Sequence, residues 1–310
     1  MIIDIHDVWD DAKQLHEQYV LDHANDAMVK EYARGPTTKV LSDFQFFLSL
    51  YLGDIVNSTN TNFDAVINGF IGLFPPGSSA EREAIAIAKY VFDYDSFRDR
   101  RHSWNAYELC RRARYAVCPY CQLSAIETTM KSTAGRGYRP QLDHYFARSH
   151  FPYLALSLGN LVPSCDRCNG PFMKHTKDFS KIPHLNPLKD VATLTFRLRP
   201  AHGVPWTPTL RAMREHASEY EIEIVATPGN VEAANTLTTF QLKPRYQHHV
   251  HDAHRVAKVG RNRGWVRSVL QATNLTLRTE DELGFSLTGD GFKKIVTGKM
   301  RLDVYKSSKK

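Results

Sequence analysis

Apolar residues recur at helical spacing through VWDDAKQLHEQYVLDHANDAMVKEYA (8–33), and the remaining positions are charged or polar. That period predicts an amphipathic helix. VLSDFQFFLSLYLGDIV (40–56) is more continuously apolar and predicts a second, more buried helix. FPPGSS (74–79) breaks the pattern, and SSAEREAIAIAKYVFDYDSF restarts it, with Ser79 expected as the cap ahead of an acidic first turn. Residues 1–103 therefore read as a helical region.

The period changes beyond Pro187. TLTFRLR (193–199) and YEIEIVA (220–226) alternate apolar and polar residues, as half-buried strands do. TPGN follows as a turn. NTLTTFQLKPRYQHHVHDAHRVAKVGRNRGWVRSVLQAT then predicts a short segment and a long basic helix. GFSLTGDGFKKIVTGKMRLDVYK predicts a hairpin around Gly289-Asp290-Gly291 and a last strand, and SSKK a frayed tail. There is no internal repeat. The expected class is α+β: a helical region at 1–103, a cysteine-bearing module at 104–185, and a basic mixed α/β region at 186–310.

Composition narrows the class. Of 310 residues, 42% are hydrophobic and 24% charged, as in ordinary folded proteins. No apolar run is long enough to cross a bilayer, and MIIDIHDVWDD lacks a signal-peptide core, so no membrane and a cytoplasmic location are expected. The net charge of +7 is unevenly spread. Residues 1–100 hold 8 Lys and Arg against 16 Asp and Glu, whereas residues 182–310 hold 20 against 12. An acidic first third joined to a basic remainder suits a nucleic-acid enzyme with a separate partner-binding part; a merely solvated surface is the alternative.

Four of the five cysteines are paired at x-x spacing, as Cys118/Cys121 and Cys165/Cys168. Each pair suits a tight turn aiming two thiolates at one point. Two such turns complete a closed tetrahedral zinc site with no open position, which is structural rather than catalytic. Cys110 stands apart and reads as a small buried apolar residue. The 43 residues between the pairs exceed the usual 15–20 of a simple ribbon. They contain GYRPQLDHYFA, a plausible strand carrying Asp143 and His144. A loop follows, then GNLVPSC returns as a second strand opening on Asn160. After Cys168, NGPFMKHTKDF can begin a helix with Asn169 in its first turn.

C-x2-C, L-D-H-Y, N-L-V-P and C-x2-C-N in this order resemble the HNH endonuclease family, the ββα-metal nucleases, in their zinc-supported form. The resemblance covers about residues 115–180. It implies a zinc-pinned ββα fold that hydrolyses nucleic-acid phosphodiesters, DNA or RNA, leaving 5′-phosphate and 3′-hydroxyl ends. By it, His144 is the general base, and Asp143 ligates a catalytic Mg2+ or Mn2+. Asn160 orients His144 by tying its strand to the loop, and Asn169 or His175 completes the catalytic metal site. In many relatives a Lys follows the third metal position at short spacing. Here Gly170-Pro171 intervenes and Lys174-His175 comes later.

Arg111, Arg112 and Arg114 before the first cysteine pair, and Arg136, Arg139 and Arg148 around the expected base, are candidate phosphate contacts. So are Arg261 and Arg263 of the basic helix, interleaved with Trp265. His248, His251, Asp252 and His254 could form a second metal site, or simply the polar face of that helix. Asp22-His23 reads as helix surface. NTLTTFQLKPRY, placed after the module, is also similar to HNH subunits of bacterial anti-phage systems of the Septu and retron-associated kinds. That resemblance implies a partner ATPase, with the acidic helices as its docking surface. The alternative from another class is a zinc-ribbon subunit that binds nucleic acid without cutting it.

Overall fold

The computed structural model describes residues 1–57, 62–99, 103–130, 132, 135, 137–175, 177–272 and 279–309, with side chains omitted over 262–272. Arg136 and the side chains of Arg263 and Trp265 thus lie outside the described residues. The architecture is α+β, with helices predominating and two small antiparallel sheets.

Helices α1 (Lys13–Ala33), α2 (Lys39–Val56), α3 (Asp64–Leu73) and α4 (Ser79–Val91) form the first region, followed by the short α5 (Tyr94–Arg98) and α6 (Ala106–Arg111). The predicted faces are buried: Val20, Ala24, Ala27 and Met28 on α1, and Leu41, Phe44, Phe47 and Leu48 on α2. Thr38 caps α2 by accepting from the Leu41 N–H at 3.1 Å. The cap of α4 is Ser78, one residue before the expected Ser79. Its hydroxyl accepts from the Glu81 N–H at 3.0 Å while the Glu81 carboxylate accepts from the Gly77 N–H at 2.5 Å. Gly77 takes the left-handed turn (φ +81°) that ends the FPPG break, which places Ser78 rather than Ser79 in the extended cap position. Asp22 is exposed on α1, and His23 stacks on Tyr19 at 5.5 Å.

The helices close directly over the cysteine-bearing stretch. Phe70 stacks on Tyr153 at 4.4 Å, and Phe47 meets the same ring edge-on at 5.5 Å. Met1, Ile2, Ile3 and Ile5 are fully buried. The Ile2 and Ile3 N–H groups both donate to the Pro119 carbonyl, and the Trp9 indole donates to the Leu161 carbonyl at 2.8 Å.

Strand β1 (Gln141–His144) pairs antiparallel with β2 (Leu161–Ser164), placing Asp143 opposite Val162 and His144 opposite Leu161. Helix α7 (Asp166–Asn169) follows at once, but it ends at Asn169, before Gly170-Pro171, and residues 171–175 are turns, so the helix expected to begin after Cys168 does not form. Farther on, β3 (Thr195–Pro200) pairs with β4 (Tyr220–Val225), and their alternation is realised: Phe196 and Leu198 are buried against Ile222 and Ile224. α8 (Pro208–Arg211) lies between these strands in sequence. The long basic segment becomes α9 (Val231–Thr239), α10 (Leu242–Gln247) and α11 (Val250–Ala272).

The C-terminal hairpin and strand do not form. α12 (Thr279–Leu283), a single 3-10 turn at Gly291–Lys294 and α13 (Gly298–Ser308) replace them. MRLDVY alternates like a strand, but Met300, Val304 and Ser308 also fall at i, i+4, i+8, and that face is buried. α13 packs on β3 and crosses α11 closely at Gly260, where a Cβ would stand 3.0 Å from Ser308 Cβ and from the Tyr305 carbonyl oxygen. Among the described residues no helix is long and apolar enough to cross a membrane.

Candidate functional site

The turn between Val117 and Ala125 carries Cys118 and Cys121, and the start of α7 carries Cys165 and Cys168. All four are buried, with their sulfurs within 4.8 Å of one another. Cys121 Sγ lies 4.0 Å from Cys165 Sγ. Tetrahedral zinc with bonds of ~2.3 Å requires sulfur separations of roughly 3.8 Å, so the cluster fits such an ion. N–H groups of Leu123 and Cys168 point at Cys121 Sγ and Cys165 Sγ at 3.4 Å each. The Arg245 guanidinium of α10 lies 3.5 Å from Cys168 Sγ and offsets thiolate charge. Among the described residues this is the only grouping of three or more His, Cys, Asp or Glu able to hold a metal ion. Cys110 stays apart, buried in α6, with burial pushing its thiol up to about 12.

His144 ends β1 on the face opposite Asp143. Its Nε2 lies 2.9 Å from the Ala155 carbonyl oxygen, and Tyr94 of α5 meets the ring edge-on at 4.5 Å. A carbonyl only accepts, so Nε2 carries the proton and Nδ1 is left with its lone pair. Burial lowers the His144 pKa to about 4, which keeps the ring neutral. Asn160 fixes the intervening loop at both ends. Its Oδ1 accepts from the Phe146 N–H at 2.7 Å, and its Nδ2 donates to the Phe146 and Leu154 carbonyls at 3.1 Å each. Beside Tyr94 and Ala155 lies a hollow of about 340 Å³ that Arg148 also lines.

Asp143 faces the cysteine side. Its Oδ2 accepts from the Tyr120 hydroxyl at 2.6 Å and its Oδ1 from the Lys174 ammonium at 2.6 Å. Lys174 also donates to the His144 carbonyl and sits 4.8 Å over the Phe179 ring. Burial lowers the Lys174 pKa against the opposing pull of Asp143. Both carboxylate oxygens are thus engaged inside the protein. Asn169 turns its amide to Gln141 at 3.0 Å, and His175 is exposed on a left-handed residue (φ 45°). The donors expected for a catalytic Mg2+ or Mn2+ do not fit one as arranged, because a lysine already supplies Asp143 with its positive charge.

The arginines are placed unevenly. Arg111 and Arg112 both bind Glu108 at 2.7 Å. Arg114 is exposed but pairs with Asp7, Asp10 and Asp11, so its charge is spent on the N-terminal segment. Arg139 donates to the Pro140 carbonyl and lies 5.5 Å over Tyr107. Arg148 lies over Tyr94 and pairs with Asp95 at 3.1 Å. Arg261 donates to the Arg211 carbonyl from an otherwise exposed side chain. On α11, Asp252 is taken by Arg255 and Arg301, and His254 is buried against Tyr220, so the helix does not gather a second metal site there.

Sequence reasoning gave no role to Tyr120, Tyr94 or Arg245, and it noted Lys174 only as displaced. Tyr120 lies inside the C-x2-C turn and reaches Asp143 of β1, a contact that nothing in the local pattern announces. Arg245 and Tyr94 come from distant stretches and had no signal either. In comparisons with known proteins, no family model and no solved structure matches the chain. The chain is 33% identical over 73 residues to Septu protein PtuB of Bacillus thuringiensis, a match covering 24% of this chain and 24% of the length of that protein.

Proposed function

We propose that the protein is a cytoplasmic HNH-type endonuclease that hydrolyses phosphodiester bonds of nucleic acid, DNA in the first instance, and serves anti-phage defence. The observation that carries the reading is the His144 ring held through Nε2 to the Ala155 carbonyl. A neutral imidazole with a fixed tautomer and a bare Nδ1 is the form a general base requires. Asn160 holds the loop that supplies this carbonyl, so it positions His144 without touching substrate. In the proposed reaction, Nδ1 takes a proton from water as the oxygen attacks phosphorus, the P–O3′ bond breaks, and the departing 3′ oxygen takes a proton from solvent to leave as a hydroxyl. Arg148 lines the hollow beside Tyr94 and Ala155, the two residues that touch the His144 ring, and is placed to meet phosphate charge. The similarity to PtuB supports the defence role, and a partner ATPase on the acidic helices belongs to that reading. The resemblance calls for Mg2+ or Mn2+, but the engaged carboxylate gives such an ion no ligand here, and no step runs through one.

One observation favours the rival reading, a non-catalytic nucleic-acid-binding subunit: Asp143 is fully committed to Tyr120 and Lys174. The deciding experiment incubates wild type and His144→Ala with plasmid, single strands and tRNA, with and without Mg2+, Mn2+ and chelator. The nuclease reading expects cleavage by wild type and a loss of ~10²–10⁴ in rate for the variant, with zinc content unchanged. Cleavage equal in both proteins, or absent in every condition including with the natural partner, removes it.

A further inference from the structure

Away from His144, a hollow of about 430 Å³ opens between β3, α8 and α11. Arg197, Arg199, Arg211 and Arg261 line it, with Trp206 at its edge and Met213 among its lining residues. Trp206 is 44% exposed, unusual for an indole that could have packed inward. Glu221 and Glu223 of β4 stand across the hairpin from Arg199 and Arg197, and Glu223 is taken by Arg199 at 2.5 Å. Neither acid lines the hollow. Among the described residues, no hydrogen bond or ion pair holds the side chains of Arg197 or Arg211, and Arg261 uses only its Nε, on the Arg211 carbonyl. Like charges brought together without counter-charge repel one another, so the arrangement gains stability when an anion enters.

We propose that this hollow binds a single-stranded segment of nucleic acid, with phosphates on Arg197, Arg211 and Arg261 and an unpaired base stacked on Trp206. The proposal rests on the nuclease reading and names the form of substrate it would hold. Arg197 on β3, Arg211 on α8 and Arg261 on α11 approach the hollow from three elements and offer three separate phosphate contacts, more than one small anion needs. An exposed aromatic beside a guanidinium cluster is also the combination by which proteins hold unpaired bases without reading sequence.

The test uses the full, zinc-loaded chain carrying His144→Ala, so that the probe survives. Fluorescence anisotropy follows a labelled thymidine oligomer of about 20 nucleotides, longer than the ~4–16 that one such site spans. Trp206→Ala should weaken binding roughly 5- to 100-fold, the range for one stacked base, and Trp206→Phe should restore it to within about 3-fold. Arg197→Ala/Arg211→Ala should flatten the dependence of log K on log salt by about 1.4, at ~0.7 per lost phosphate contact on a single strand. Binding of the matching duplex should not respond to Trp206→Ala. Unchanged oligomer affinity in these variants, with melting temperature and zinc content preserved, overturns the proposal. So does thymidine monophosphate displacing the oligomer at equal or lower concentration, which would make this a mononucleotide site. A wild-type protein that cuts nothing yet binds the oligomer through Trp206 fails the nuclease reading and leaves this inference standing. His144-dependent cutting with normal binding in the pocket variants does the reverse.

Discussion

Lys174 is 2% exposed, yet it carries a charge. It keeps that charge because Asp143 and the His144 carbonyl both accept from it. The residue therefore binds the loop after α7 to the end of β1, at the position from which His144 departs. Lys174→Met strands a buried carboxylate, and removing one partner of such a pair costs ~3–5 kcal/mol. Asp143→Asn/Lys174→Met removes both charges and should recover much of that loss. Urea unfolding of the three proteins checks this, and a single variant within about 1 kcal/mol of wild type would show that the pair is not closed in solution. Protonation supplies a second prediction at this scale. Burial holds both His144 and His16 at about 4, below the ordinary 6.5. The unfolded chain binds more protons than the native one between these values, so stability falls as pH drops from about 6.5 to about 4. Each ring contributes on the order of 3 kcal/mol over that span, read as a shift of the denaturation midpoint. On the proposed nuclease reading the sign is the same: kcat/KM should stay level down to about pH 5 and fall nearer 4, because that reading makes the neutral ring the active form.

At the scale of elements, what was legible followed from local pattern. The helical faces of α1 and α2 and the alternation of β3 and β4 each bury one side of a regular period, and each formed; the LDH and NLVPS stretches also formed strands, buried on both faces. The cysteine spacing was equally readable, because two turns must converge on one point. The fate of Asp143 was not. Nothing local distinguishes a carboxylate that meets a metal from one that meets Lys174, 31 residues on. The last helix was missed because its residues satisfy both periods, and α11 decided between them. Gly260 tests that decision. Gly260→Ala gains ~1 kcal/mol of helix propensity, but its Cβ would press on the Tyr305 carbonyl, which is held in α13 and cannot swing aside. Overpacking of this kind costs ~1–3 kcal/mol, so thermal unfolding should show a net loss of about 1 kcal/mol. A gain in stability would mean that the two helices do not cross as described.

Across the whole molecule, the cysteine cluster is where distant parts of the chain meet. The Ile2 and Ile3 N–H groups bond to Pro119, between the first two cysteines. Gln122 receives N–H groups from Thr297 and Lys299 and donates to the Phe292 carbonyl at 2.7 Å, joining the C-terminal segment to the same turn. Tyr246 donates to the Cys121 carbonyl at 2.7 Å, and Arg245 reaches Cys168. A structural zinc ion is worth ~10–16 kcal/mol in small domains, enough to hold these turns against their own loop entropy. Its loss should therefore be felt at both ends of the chain and not only between Cys118 and Cys168. Stripping the metal with a thiol-directed chelator, or replacing Cys121 by Ser, should lower the melting temperature and raise amide exchange at residues 2–5 and 297–299 together with the cysteine turns. Hydrogen exchange read by mass spectrometry resolves these segments. Exchange that rises only within about residues 115–170, while both termini keep their protection, would show that the turns are shaped by their own packing and that the ion does not carry the long-range ties.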